Sequence, residues 1–183
     1  MNWRPFALFL AAPILAACSP ALNWRSVPVD AAGLTVLLPC KPDRAVRPVE
    51  LGSAATVDLS MVGCDADGAT FAVSHMRIDD PAQAGAMLAL WQMAVQARMQ
   101  ASQGTVNALN GSQPFVPLGA LQLPQSVRAE LQGRMGDGRP TTAQAVWFAR
   151  LDGTHARLYH AVVYSPTPRP DVAQTFLDGL RLQ

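Results

Sequence analysis

The segment from Val127 to Tyr164 constrains the fold most, because it alternates apolar and polar side chains strand after strand. Val127, Ala129, Leu131, Gly133 and Met135 share one parity; Arg128, Glu130, Gln132 and Arg134 share the other. A period of two marks a strand with one wet face. Gly136-Asp137-Gly138 turns the chain. Thr141 to Leu151 returns with Ala145, Trp147, Ala149 and Leu151 on one face, and Asp152-Gly153 is a two-residue hairpin signal leading into Ala156 to Tyr164. Strands joined this tightly are antiparallel, since a parallel pair needs a crossover of a dozen or more residues.

A second meander precedes it. Gly33 to Leu38 is a continuous apolar run stopped by Pro39 and reads as a buried strand. Arg44 to Leu51 is a weaker strand, placed at an edge by Pro48. From Ala55 to Val62 the residues Val57, Leu59 and Met61 oppose Thr56, Asp58 and Ser60. Gly63 to Gly68 reads as a turn, and Thr70 to Ile78 as the next strand.

Between the meanders lies a long helix. Asp80 suits the N-cap, Pro81 the first helical position, and Gln83 the return bond of a capping box. Met87, Leu88, Trp91, Ala94, Val95 and Met99 form its apolar face; Gln92, Gln96 and Gln100 mark the wet side, and Gly104 the stop. Thr105 to Gln125 is an irregular connection with one short strand. A short helix spans Asp171 to Asp178, with Val172, Phe176 and Leu177 inward and Gly179 at its end, before a last short strand at Leu180 to Leu182. The fold class is α+β, an antiparallel sheet of about six to seven strands packed with one long and one short helix.

The N-terminus carries a different signal. Arg4 precedes an apolar run from Phe6 to Ala17, which is shorter than the about 20 residues that span a bilayer. Charge, apolar run and small residues follow the layout of a secretory signal. Leu15-Ala16-Ala17-Cys18 resembles the lipobox of bacterial lipoproteins. The resemblance implies cleavage before Cys18, acyl chains such as palmitate on that cysteine, and, with Ser19 following, an outer-membrane anchor facing the periplasm. The expected organisation is a signal peptide at 1–17, a lipidated tether at 18–32 in which Trp24 docks on the domain, and a single domain at 33–183.

With Arg4 removed, 13 basic side chains balance 13 acidic ones. Such a chain has no electrostatic footprint for nucleic acid and no polybasic second membrane signal. With Cys18 given to lipid, Cys40 and Cys64 remain as a pair, and in an oxidising compartment a disulfide between them is expected. A redox or metal-binding pair is the alternative, without a CxxC spacing in its favour.

The order of elements, with Leu38-Pro39-Cys40-Lys41-Pro42 closing the first strand and Phe176 to Leu182 closing the chain, resembles the small bacterial domains of the Mog1/PsbP fold. In that fold an antiparallel sheet lies between helices. Gly179 and Leu180 depart from the Ser-Phe usual at the closing motif. Known members are non-enzymatic binders, whose partners do not transfer to this chain.

No constellation for chemistry stands out. Asp65-x-Asp67-Gly68 opens like a calcium loop but runs straight into strand residues. His155 and His160 point to opposite faces of one strand; His75 with Cys40 and Cys64 could make a soft site for copper or zinc, against which stands a disulfide beside a half-exposed histidine. Ser60, Ser74 and Ser126 lack a nucleophile-elbow context. Trp91, Trp147, Tyr159 and Tyr164 read as core before pocket. The expectation is no catalytic residue, no metal and no cofactor. The chain is expected to act as an envelope binding or assembly module with a protein partner, or alternatively as a carrier of a small hydrophobic ligand or metal between sheet and helix.

Overall fold

The computed structural model describes residues 21–50, 56–99 and 112–183. In chain order the elements are β1 (Arg25–Val29), β2 (Leu34–Leu38), β3 (Asp43–Val49), β4 (Val57–Ala66), β5 (Ala69–Ile78), α1 (Ala84–Arg98), β6 (Gln113–Pro114), β7 (Val127–Arg134), β8 (Pro140–Asp152), β9 (His155–Ser165), α2 (Pro170–Asp178) and β10 (Arg181–Leu182). They form an α+β fold. A seven-stranded antiparallel sheet runs β3-β4-β5-β9-β8-β7-β6, so the two meanders join where β5 pairs with β9. A three-stranded sheet runs β1-β2-β10.

The large sheet separates two cores. At its centre Val146, Trp147 and Phe148 are consecutive and fully buried; Val146 and Phe148 pack with β1, β2 and α2, whereas Trp147 packs with α1. Strands covered on both faces need no polar parity, which explains the run Ala161-Val162-Val163 in β9. The edge strand β3 is exposed along nearly its whole length and holds Pro48, whose missing N–H costs least at an edge. Fully burying an apolar side chain stabilises by about 1.5–3 kcal/mol, so Phe71, Phe148 and Phe176, all without exposure, anchor one core, and Leu88, Trp147 and Leu158 the other.

The Cys40–Cys64 disulfide is formed, with Cα atoms 6.0 Å apart. Cys40 follows β2 and Cys64 sits in β4, so the bridge ties the small sheet to the large one. Tyr159 adds a second tie, its hydroxyl donating to the Ala32 carbonyl at 2.5 Å.

Several expectations need correction. The tether does not extend to residue 32: Arg25–Val29 pairs with β2 from Arg25↔Leu38 to Val29↔Leu34, and Val27 and Val29 are buried. Pro28 disguised this strand, yet β1 is an edge where proline is tolerated. Trp24 does dock, edge-on to Phe71 with ring centroids 5.8 Å apart. The turn at Gly63 to Gly68 shrinks to Asp67-Gly68, both at positive φ (49° and 72°), as a primed hairpin turn requires. Gly63 belongs to β4 because the Phe71 carbonyl and Ala72 occupy the space a Cβ would take. The calcium-like carboxylates serve this hairpin: Asp65 accepts from the Thr70 hydroxyl and Asp67 pairs with Arg169. On α1, Gln92 is buried and Ala94 exposed, the reverse of the expected faces. The loop before β7 packs on this side of the helix, and Gln92 Nε2 donates to the Gln125 carbonyl at 2.9 Å. Leu151, placed inward, is 55% exposed near the hairpin end. Cys18 with the lipobox, Leu51 to Ala55, Gln100 and the Gly104 stop lie outside the described residues.

Candidate ligand-binding cleft

The helix α1 covers only part of its face of the large sheet. It packs against β8 and β9, leaving the neighbouring stretch of β5 and β4 beside it as a cleft of about 890 Å³. Strand register decides what paves the floor. Met61 pairs with Ser74, Ser74 with His160, and His160 with Trp147, one row running straight across β4, β5, β9 and β8. The next row on this face places Ala72 beside Val162. The helix supplies Trp91 and Val95 as a wall. The hairpin between β7 and β8 supplies Met135 at one end, with the charged pair Asp137 and Arg139 at the rim.

The row through Ser74 and His160, which are 7% and 4% exposed, is flanked by apolar Met61, Ala72 and Val162, and a further row on the same face, Asp65, Thr70 and Tyr164, adds polar lining toward the Asp67-Gly68 turn. The His160 ring stacks on Trp147 with centroids 4.7 Å apart, and Trp91 leans over it at 5.5 Å. Burial pushes its pKa down to about 3, so the imidazole is neutral near pH 7. Among the described residues its Nε2 has no hydrogen-bond partner although it is buried, and the same holds for Nε1 of Trp147. Buried polar atoms without partners are few in native proteins. Tyr164 also lines the cleft, and burial raises its pKa.

The placement brings a serine and an imidazole side by side, a pair the sequence alone did not join. Among the described residues no hydrogen bond links them and no carboxylate orients the ring, and an imidazole titrating near 3 is a weak base. The arrangement suits binding better than proton abstraction.

The other singled-out residues divide between the cleft and the rest of the fold. Trp91 and Tyr164 line the cleft, whereas Trp147 and Tyr159 are core. His75 does not meet the cysteines, which are bonded to each other. It lies on the opposite face of the sheet, its Nδ1 3.4 Å from Arg157, and burial with that guanidinium pushes it down to about 4. Arg157 also clamps Asp152 through Nε and Nη2 and holds that carboxyl below its ordinary value. His155 and His160 do point to opposite faces, His155 meeting Arg77 and Asp79. Ser60 lines a separate pocket of about 290 Å³ shared with His75. Ser126 precedes β7 rather than lying in it, and its hydroxyl donates to the Leu121 carbonyl. Among the described residues no group of three or more His, Cys, Asp or Glu could hold a metal ion. The sequence suggests a cavity between sheet and helix and offers Trp91 and Tyr164 as lining, but it does not join Ser74 to His160, because the floor is a cross-strand row. A scan against protein-family models and a search of curated proteins both return no match to this chain.

Proposed function

We propose that this protein is a lipid-anchored component of a bacterial cell envelope that works by binding, and that its cleft carries a small hydrophobic ligand. The cleft carries this reading. Its volume of about 890 Å³ lies within the range of small-molecule sites, about 300–1,000 Å³, which are mostly apolar with few polar groups. Of the two roles expected from the sequence, carrier and assembly module, the carrier gains the structural support. The fold proposal is finer than α+β: the element order, with α1 and α2 on opposite faces of one antiparallel sheet, supports a Mog1/PsbP-like domain.

Export rests on Arg4, the apolar run and Leu15-Ala16-Ala17-Cys18, with Ser19 favouring the outer membrane. The disulfide supports an oxidising compartment such as the periplasm. Among the described residues no helix is long and apolar enough to cross a membrane. A second reading, an assembly module docked on another envelope protein, is favoured by Leu118, which stands 96% exposed beside exposed Val116.

Native mass spectrometry of protein purified from envelopes is the test. A bound mass of a few hundred daltons, lost on Trp91→Ala, is the expected result; a bare apo mass in every preparation would end the carrier reading. Fractionation tests the anchor: Cys18→Ala should release the protein from the membrane fraction, and retention of that variant would refute lipidation at Cys18.

A further inference from the structure

We propose that the cleft takes a single-chain amphiphile with a carboxylate head, laying the chain along its apolar floor and meeting the head at its mouth with Tyr164 and Arg98. The inference rests on the cleft being a ligand site and goes on to name the ligand's chemistry.

Helix and strand carry the two head-group residues to the same end of the cleft. Trp91, Val95 and Arg98 fall on one stripe of α1, and all three line the cleft. Trp91 leans over His160, and Arg98 lies about 10 Å farther along the helix axis. On β9, Tyr164 lies about 13 Å beyond His160, toward the Asp67-Gly68 turn. The two advance together: burial raises the Tyr164 pKa, and Arg98 is the charged group near enough to draw it back. Behind this mouth Leu59, Met61, Ala72 and Val162 give an apolar floor. From Leu59 to Asp65 it follows β4 for about 20 Å, long enough for an extended acyl chain.

The ion pairs at the mouth leave Arg98 for a ligand. Among the described residues, which include all 13 acidic side chains of the chain, no carboxylate pairs with Arg98. Arg139 is already held by Asp137 at 2.6 Å. Asp65, the carboxylate on the floor, accepts from the Thr70 hydroxyl and stands two strands from Tyr164, about 10 Å away. One planar guanidinium and one phenol O–H match a single carboxylate, which accepts from both. Because Arg98 is exposed, the head keeps part of its hydration and the pair avoids the penalty of a fully buried ion.

Titration of the purified protein with dodecanoate and with 1-dodecanol at neutral pH tests this, read by tryptophan emission and by native mass spectrometry. Dodecanoate should bind about 10-fold more tightly than dodecanol, the worth of one charge-assisted hydrogen bond. Arg98→Gln, at an exposed position, should melt like the wild type and bring the two probes to near parity by weakening dodecanoate alone. Tyr164→Phe should weaken dodecanoate about five-fold and leave dodecanol nearly unchanged, the loss of one hydrogen bond. Dodecanol binding as tightly as dodecanoate, or a preference for dodecanoate that survives both substitutions, would overturn the head-group assignment while keeping the cleft as a ligand site. Binding of neither probe, with no change in emission, would overturn the carrier reading itself. Should Arg98→Gln fail to fold, Tyr164→Phe and the ratio of the two probes decide the matter.

Discussion

Acid should destabilise this protein through His160 between pH 7.5 and 5. In the folded chain burial pushes this imidazole from the ordinary 6.5 down to about 3. The unfolded chain exposes it and lets it titrate normally. Because the folded value is the lower one, the stability His160 allows is fully present above 6.5 and is lost as pH falls from 6.5 toward 3. At about pH 5 the unfolded state holds its proton nearly always and the folded state almost never. The linkage relation converts that difference into about 2 kcal/mol lost relative to pH 7.5. His75, pushed down to about 4, titrates in the same window, so the wild-type slope alone does not isolate His160. His160→Phe keeps a planar ring against Trp147 and removes the titration. Urea unfolding followed by tryptophan emission, on both proteins from pH 7.5 to 5, gives the required double difference. The gap between wild type and variant should shift by about 2 kcal/mol toward the variant as pH falls. A gap that stays constant across the window would refute the claim that a buried neutral imidazole lies beneath the cleft. Asp137 and Asp152, held below their ordinary values by Arg139 and Arg157, lose their contribution only at more acidic pH and do not confound the comparison.

Three further outcomes follow from the packing. Thiol labelling of unreduced protein should modify neither Cys40 nor Cys64, and the double alanine variant should lose about 3 kcal/mol in denaturant unfolding, from the loop of 24 residues that the bridge closes. Gly179→Ala should lower stability by about 1–3 kcal/mol, because a Cβ there runs into the Leu37 side chain where α2 meets β2; a thermal melt unchanged from wild type would contradict that packing. Phe176→Ala, removing a fully buried ring that packs edge-on to Phe71, should cost about 3–5 kcal/mol by the same measurement.

Elements with a local cause were legible in the chain. The alternation of β7 and the start of the long helix each depend on a few neighbouring residues and lie where the sequence put them, and the Asp152-Gly153 signal marks the right hairpin although its turn is Gly153-Thr154, with Asp152 still paired to His155. Asp80 accepts from the Ala82 N–H at 2.9 Å, although the first turn, Pro81–Gln83, is a 3-10 turn rather than α-helix. Where a long-range partner decides, local signals misled. Pro28 argued for a tether, and only pairing with β2 makes Arg25–Val29 a strand. Gly63 and Asp65 argued for a turn, and only the close approach of Phe71 explains a glycine in mid-strand. Gln92 fell on the wet side of a helical wheel, and only the loop ending at Gln125 buries it.

The cleft is the limiting case of the same principle. Met61, Ser74 and His160 come from three strands and meet only through two independent registers, β4 with β5 and β5 with β9. A slip of one residue between β5 and β9 would send His160 to the face opposite Ser74, and a slip between β4 and β5 would do the same to Met61. Sequence periodicity places each residue on a face but leaves the row undetermined. The registers are fixed by the Asp67-Gly68 turn, whose Gly68 borders the cleft, and by the large side chains Phe71, Tyr159 and Phe148 buried behind the sheet. The polar pair is therefore held in place by the core behind the sheet, and a binding site of this kind can be lost by a core substitution that touches none of its lining residues.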